Sequence, residues 1–200
     1  TNFSDANIEN ANFMKTKLGN ANFSDAVLDE TIFFRVDFSH TDLSDTSMIG
    51  TKIFESSLKG MTLTGISFIE TDLTNSNLSN VDILGNDLTR TILTGVDLSN
   101  SNLSGVNLAG MDLTNTNLSG VDLSGQNLIE TIFNCIITTI TIPCVNFVDT
   151  NLENANLSEA SFIQVDLTKI KNKSLAGANL SSASFAFSDL SGVNLSGAIL

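Results

Sequence analysis

At 200 residues with 42% hydrophobic content and a net charge of −13 from nine Lys plus Arg against 22 Asp plus Glu, the chain can build one continuous core or an array of small repeated units. The acidity argues against grip on a phosphate backbone or an anionic membrane, so no direct nucleic-acid binding is expected. One His, no Trp, no Tyr and two Cys leave few groups for acid–base, metal or redox chemistry, and neither an enzyme nor a metal or cofactor site is expected.

From Phe3 to Phe133 an apolar residue recurs at every fifth position, through Ile8, Phe13, Leu18, Phe23 and Leu28 onward without a miss. Two residues before each centre stands Ala, Thr, Ser or Val in most units, and immediately before it Asn or Asp, as in Val96-Asp97-Leu98-Ser99-Asn100. A step of five turns about 140° around a helix axis and reverses the face of a flat strand, so it suits neither. Each unit therefore has to bend. Four sides of five residues close a twenty-residue coil, stacked on the next by backbone hydrogen bonds at roughly 4.8 Å. The spacing of Glu30-Thr31, Glu70-Thr71 and Glu130-Thr131 by multiples of twenty agrees.

After Phe133 the pattern slips. The next centres read as Ile137, Ile142, Phe147, Leu152, Leu157, Phe162 and Leu167. A first step of four implies one lost residue and a bulged or flattened coil over 134–146, with Pro143 restricting the turn. In this phase Cys135 points in and Cys144 out, so no bond between them is expected. After Leu167 the centres resume at Leu175, Leu180, Phe185, Leu190, Leu195 and Leu200. That gap over 168–174 reads as a three-residue insertion or a two-residue deletion, in a small protruding loop bearing Lys169, Lys171 and Lys173. No linker divides 1–200, which reads as a single domain of a longer protein. Neither end carries an evident cap, so flanking sequence, an end-to-end homodimer, or both are expected. No apolar stretch is long enough to span a membrane as a helix, and no signal peptide opens the chain. Two cysteines without the partners of a zinc site favour a reducing compartment.

Units such as Ala155-Asn156-Leu157-Ser158-Glu159 and Ala178-Asn179-Leu180-Ser181-Ser182 match the pattern A(D/N)LXX, and over nearly its whole length the chain resembles the pentapeptide-repeat family. The resemblance implies an all-β fold, a right-handed quadrilateral parallel β-helix of about ten coils here. It also implies a non-enzymatic scaffold or protein-binding role. Arrays of this family occur in bacterial effectors injected into host cells, some preceding a HECT-like ubiquitin ligase domain, which would place the chain in the bacterial cytoplasm or in a host. Members that protect DNA gyrase from quinolones are acidic and imitate duplex DNA. That likeness carries over no residue, because the projecting loops and C-terminal dimerising helix of that subfamily are not seen in this sequence.

Outward positions aligned every twenty residues hold the candidate sites. Met14, Phe34 and Phe54 share a column that then gives way to threonines, and Ile49 and Ile69 stack on the neighbouring side, with Ile129 farther along. An apolar patch on a polar surface marks a contact site for a protein partner, whose identity the residues do not name, and Lys15 and Arg35 supply its polar rim. Asp42, Asp82 and Asp122 recur in another column, as do Asp5, Asp25 and Asp45. These are the acidic face that DNA mimicry would use. His40 falls at an exposed turn and lacks the concave setting of a catalytic triad.

Overall fold

The structure is a computed structural model that describes residues 1–135 and 144–200. Its contacts fall into two compact units, Thr1–Asp97 with Ser101–Val106, and Leu98–Asn100 with Asn107–Leu200.

In the first unit every coil is twenty residues. Asn2 pairs in parallel with Asn22 and Asn22 with Asp42, while Asn7 pairs with Val27 and Val27 with Ser47. A turn follows the centre of each five-residue side except over 31–35 and 51–55. The first side is centred on Phe3, Phe23 and Leu43, the second on Ile8, Leu28 and Met48, the third on Phe13, Phe33 and Ile53, and the fourth on Leu18, Phe38 and Leu58. From Leu18 onward these centres are buried. Like rings stack between coils, Phe3 on Phe23 at 4.8 Å and Phe13 on Phe33 at 5.1 Å.

The consensus follows from where five backbone N–H groups can go. In Ala21–Asp25, Ala21 N–H closes a turn on the carbonyl of Leu18 (2.8 Å), Asn22 N–H reaches back to Thr1 (2.9 Å), and Phe23 and Asp25 N–H reach forward to Asp42 (2.8 Å) and Ser44 (3.0 Å). The fifth, Ser24 N–H, bonds Oδ1 of Asn22 at 2.8 Å. Asn or Asp before the centre thus supplies the one acceptor the backbone lacks. The last residue of the unit takes a positive φ, 59° at Asp25 and 84° at Gly65, where Asn, Asp and Gly cost least. Two residues before the centre, Thr or Ser is buried with its hydroxyl satisfied. Thr31 donates to the Ile8 carbonyl (2.8 Å), Thr51 to Leu28 (2.9 Å) and Thr71 to Met48 (3.0 Å), each 23 residues back.

The second unit keeps these rules and changes its register twice. Asp112 pairs with Ile132, twenty residues on, but Asn117 pairs with Asn146, Asp122 with Asn151 and Ile132 with Ser161, each 29 apart. The coil has gained nine residues. The expected loss of one is therefore corrected: both shift a five-residue phase equally, and only the ladder distinguishes them. Ile137, Ile142 and Pro143 lie outside the described residues. Cys135 and Cys144, expected to stay apart, are joined by a disulfide with Cα atoms 4.5 Å apart. Nine extra residues bring the two ends of the excursion to neighbouring points, whereas reading them in one unbroken phase put the cysteines on opposite faces. Farther on, Asn156 pairs with Asn179 and Asp166 with Asp189, 23 apart, before Ser174 with Asn194 restores twenty. The second interruption is thus a three-residue insertion, with a 3-10 turn over Lys171–Lys173.

Candidate protein-binding surface

Two strands break the turn pattern of the first unit: β1 (Ile32–Phe34) and β2 (Lys52–Phe54), paired in parallel with Phe34 beside Phe54. Before their centres stand Ile32 and Lys52, which lack the acceptor that bends other units, and after them an aromatic residue. Lys17, Val27 and Ile92 lack the acceptor too and still precede a turn. The aromatic, which prefers extended backbone, supplies the rest. Met14 belongs to the same column, since the adjacent Lys15 N–H bonds the Phe34 carbonyl at 2.7 Å, as Arg35 N–H bonds that of Phe54 at 3.1 Å. Met14 is 54% exposed, and Phe34 and Phe54 are half-buried. The Arg35 guanidinium lies over Phe34, 4.9 Å from the ring centroid, and its Nε donates to Glu55 at 2.8 Å. One face of Phe34 is thereby covered and held.

Ile49 is exposed and Ile69 half-buried on the second side, adjacent in the ladder through Gly50 N–H and the Ile69 carbonyl. Ser47 replaces Asn or Asp there, and Asp29 of the preceding coil takes over, accepting Ile49 N–H at 2.9 Å and the Ser47 hydroxyl at 2.6 Å. The structure thus brings Met14, Phe34, Phe54 and Arg35 together on the third side and Ile49 with Ile69 on the second. Ile129 is half-buried in the second unit.

Asp42 and Asp82 lie in the first unit and Asp122 in the second. Each carboxylate accepts a turn N–H, from Ser44 (3.0 Å), Leu84 (3.1 Å) and Ser124 (3.0 Å). The hydroxyls of Ser44 and Ser124, and then those N–H groups, hold the Asp42 and Asp122 carboxyls below the usual carboxylate range. His40 is exposed at the rim of an open hollow of about 490 Å³ that also contains Asp42, Ser44 and Lys59. The Ser44 hydroxyl donates to Asp42 at 2.7 Å and that of Ser39 to Asp37 at 2.5 Å. Both hydroxyls near His40 are thus engaged by turn carboxylates. Among the described residues no group of three or more His, Cys, Asp or Glu could hold a metal ion, and no helix is long and apolar enough to cross a membrane.

Sequence reasoning missed Leu84, Ile92 and Phe187, which are 47%, 46% and 89% exposed. Leu84 stands just after its centre, Ile83, but alone in a column of Ser and Thr, whereas Ile92 and Phe187 lie at outward positions other than the one after a centre. Phe187 takes the corner with φ 60°, where the other described units have Gly or a polar or charged residue.

A family model described as pentapeptide repeats matches residues 11–50, 31–68, 53–85, 87–120, 107–135, 145–171 and 171–200. Among solved structures, a trypsin-treated variant of QnrB1, a plasmid-mediated fluoroquinolone resistance protein, is similar at 20% identity and TM-score 0.76, over 96% of this chain and 90% of that one. Full-length QnrB1 gives 18% identity and TM-score 0.68, over 96% and 92%. HetL, a pentapeptide repeat protein involved in heterocyst differentiation regulation in the cyanobacterium Nostoc sp. strain PCC 7120, gives 24% and 0.41, over 96% and 87%. No curated protein matches the chain. The likeness to QnrB1 shows the fold, a right-handed quadrilateral β-helix.

Proposed function

The chain belongs to the pentapeptide-repeat family, and from that premise we propose that it is a non-enzymatic scaffold that presents the Met14, Phe34 and Phe54 column, flanked by Ile49 and Ile69, to a protein partner. The observation that carries this reading is the strand pair β1 and β2, which abandons the turn pattern to set two phenylalanines side by side at the surface. Apolar side chains grouped on a surface that is otherwise polar and charged lose water favourably only against another apolar surface. The bacterial-effector setting stays part of the proposal, as does a parent protein that extends beyond 1–200. The test is capture from bacterial and eukaryotic lysates by this protein and by a Phe34→Asp/Phe54→Asp variant with unchanged melting. A partner held by the first and lost by the second supports the reading; equal capture refutes this surface.

The alternative is a DNA mimic that inhibits or protects DNA gyrase, favoured by the net charge of −13 and by structural likeness to a fluoroquinolone resistance protein. A supercoiling assay without inhibition at micromolar protein removes it; inhibition relieved by Asp82→Asn/Asp122→Asn would revive it.

A further inference from the structure

Charge in the first three coils is sorted by side. Among residues 1–60 the first and second sides carry Asp5, Glu9, Asp25, Asp29, Glu30, Asp42 and Asp45 and no Lys or Arg, whereas the third and fourth carry Lys15, Lys17, Arg35, Lys52 and Lys59 against Asp37 and Glu55. Five of the nine cations of an acidic chain thus lie on the side of the Met14, Phe34 and Phe54 column or on the side that follows it, Lys59 at the far edge where it lines the hollow with His40 and Asp42. Ion pairs among the described residues engage Arg35, Arg90 and Lys169, leaving Lys15, Lys17, Lys52 and Lys59 exposed and free of a carboxylate partner within that set. Beside the column, Lys15, Lys17 and Arg35 border an open hollow of about 430 Å³. Asp37 also lines it, as does Gly19, where a Cβ would meet nothing within 4 Å. That hollow has room for a side chain approaching from outside.

We propose that the third and fourth sides of residues 12–59 bind an acidic polypeptide segment that also carries apolar side chains, its carboxylates on Lys15, Lys17, Lys52 and Lys59 and its apolar groups on Met14, Phe34 and Phe54. This rests on the scaffold reading above and names its partner's chemistry. Charge complementarity selects such a segment: the seven carboxylates of the other two sides repel it, so it is steered to one half of the coil. A nucleic acid fits less well. The Phe34 face on which a base would stack is taken by Arg35.

The test titrates the protein with a synthetic peptide of repeated Glu-Glu-Phe, following backbone amide resonances. Expected are saturable shifts confined to residues 12–19, 32–39 and 52–59, and weakening as salt rises from about 20 to about 150 mM. A Lys15→Glu/Lys17→Glu/Lys59→Glu variant with unchanged melting should bind the peptide roughly tenfold or more weakly. Equal binding of a Lys-Lys-Phe peptide, tighter binding of a single-stranded oligonucleotide, shifts on the first and second sides, or self-association that the triple variant abolishes would each overturn the proposal. Lysate capture lost in Phe34→Asp/Phe54→Asp but kept in the lysine variant would sink the acidic-partner inference alone. Capture that neither substitution set changes would sink the surface as well.

Discussion

The two units obey one set of hydrogen-bond rules and differ in tolerance of extra chain. The first repeats a step of twenty from Asn2 to Asn102, whereas the second steps by 29, then 23, then twenty again. The ladder between neighbouring coils is therefore what the fold preserves, and the number of residues in a coil is negotiable at its corners. Each coil has to present the next with N–H and C=O groups at the same places; chain that leaves and rejoins at one corner does not disturb them. The Cys135–Cys144 bond ties the two ends of the longer excursion.

The comparison would break first in the core, where both units should be equally intolerant. Leu103→Asp in the first and Leu157→Asp in the second place a carboxylate where the wild-type residue is at most 2% exposed. A loss of roughly 5 kcal/mol or more is expected, and circular dichroism should show no cooperative melt. A soluble, cooperatively melting variant of either would refute the core assignment. Deletions should separate the units. Removing residues 136–144 leaves a twenty-residue coil and is expected to move Tm by no more than about 4 °C, whereas removing Asn80 alone shortens a regular side and should lower it by about 10 °C. The reverse order in calorimetry would mean that the excursion is integral to the second unit. Cys135→Ser should cost about 2–3 kcal/mol through the freed loop entropy. Hydrogen exchange should then accelerate over 117–161 and remain unchanged over 21–66; acceleration in both stretches would argue against local action of the bond.

The smallest effect is acid, and here the units should converge again. Asp37, Asp42 and Asp87 in the first and Asp122, Asp166 and Asp189 in the second each accept from a Ser or Thr hydroxyl two residues on, the largest cause that holds their carboxyls below the ordinary value. A carboxyl depressed in the folded state adds stability above its unfolded pKa and loses it as pH falls through the folded one. Tm should thus stay level from this source near neutrality and drop below about pH 4, with both units affected alike. Flat melting to lower pH would mean that protonated turns hold as well as ionised ones.

Much of the fold was legible because a buried residue at every fifth position leaves one economical solution, and because the Glu30, Glu70 and Glu130 units repeat in step with the coil. The Asn or Asp before each centre was legible as a turn acceptor for the same reason. The sense of the first interruption was not: minus one and plus nine are the same phase, and β-branched Ile137 and Ile142 fill the expected centres. The outward column of Met14, Phe34 and Phe54 could be read from spacing. Its conversion into strands could not, since it depends on two substitutions acting together, Ile32 with Phe34 and Lys52 with Phe54. The sorting of Lys15, Lys17, Lys52 and Lys59 from the carboxylates emerges only when each charge is assigned to a side of the coil.

The return to a step of twenty at Ser174 and Asn194, directly after two longer ones, has a bearing on how such a chain can change over generations. A coil takes its template from the neighbour it lies on and retains no memory of earlier accidents. Errors in length do not accumulate along it. A lineage can therefore lengthen this protein by copying twenty-residue blocks, or graft new sequence onto a corner, while every surface already in use keeps its address.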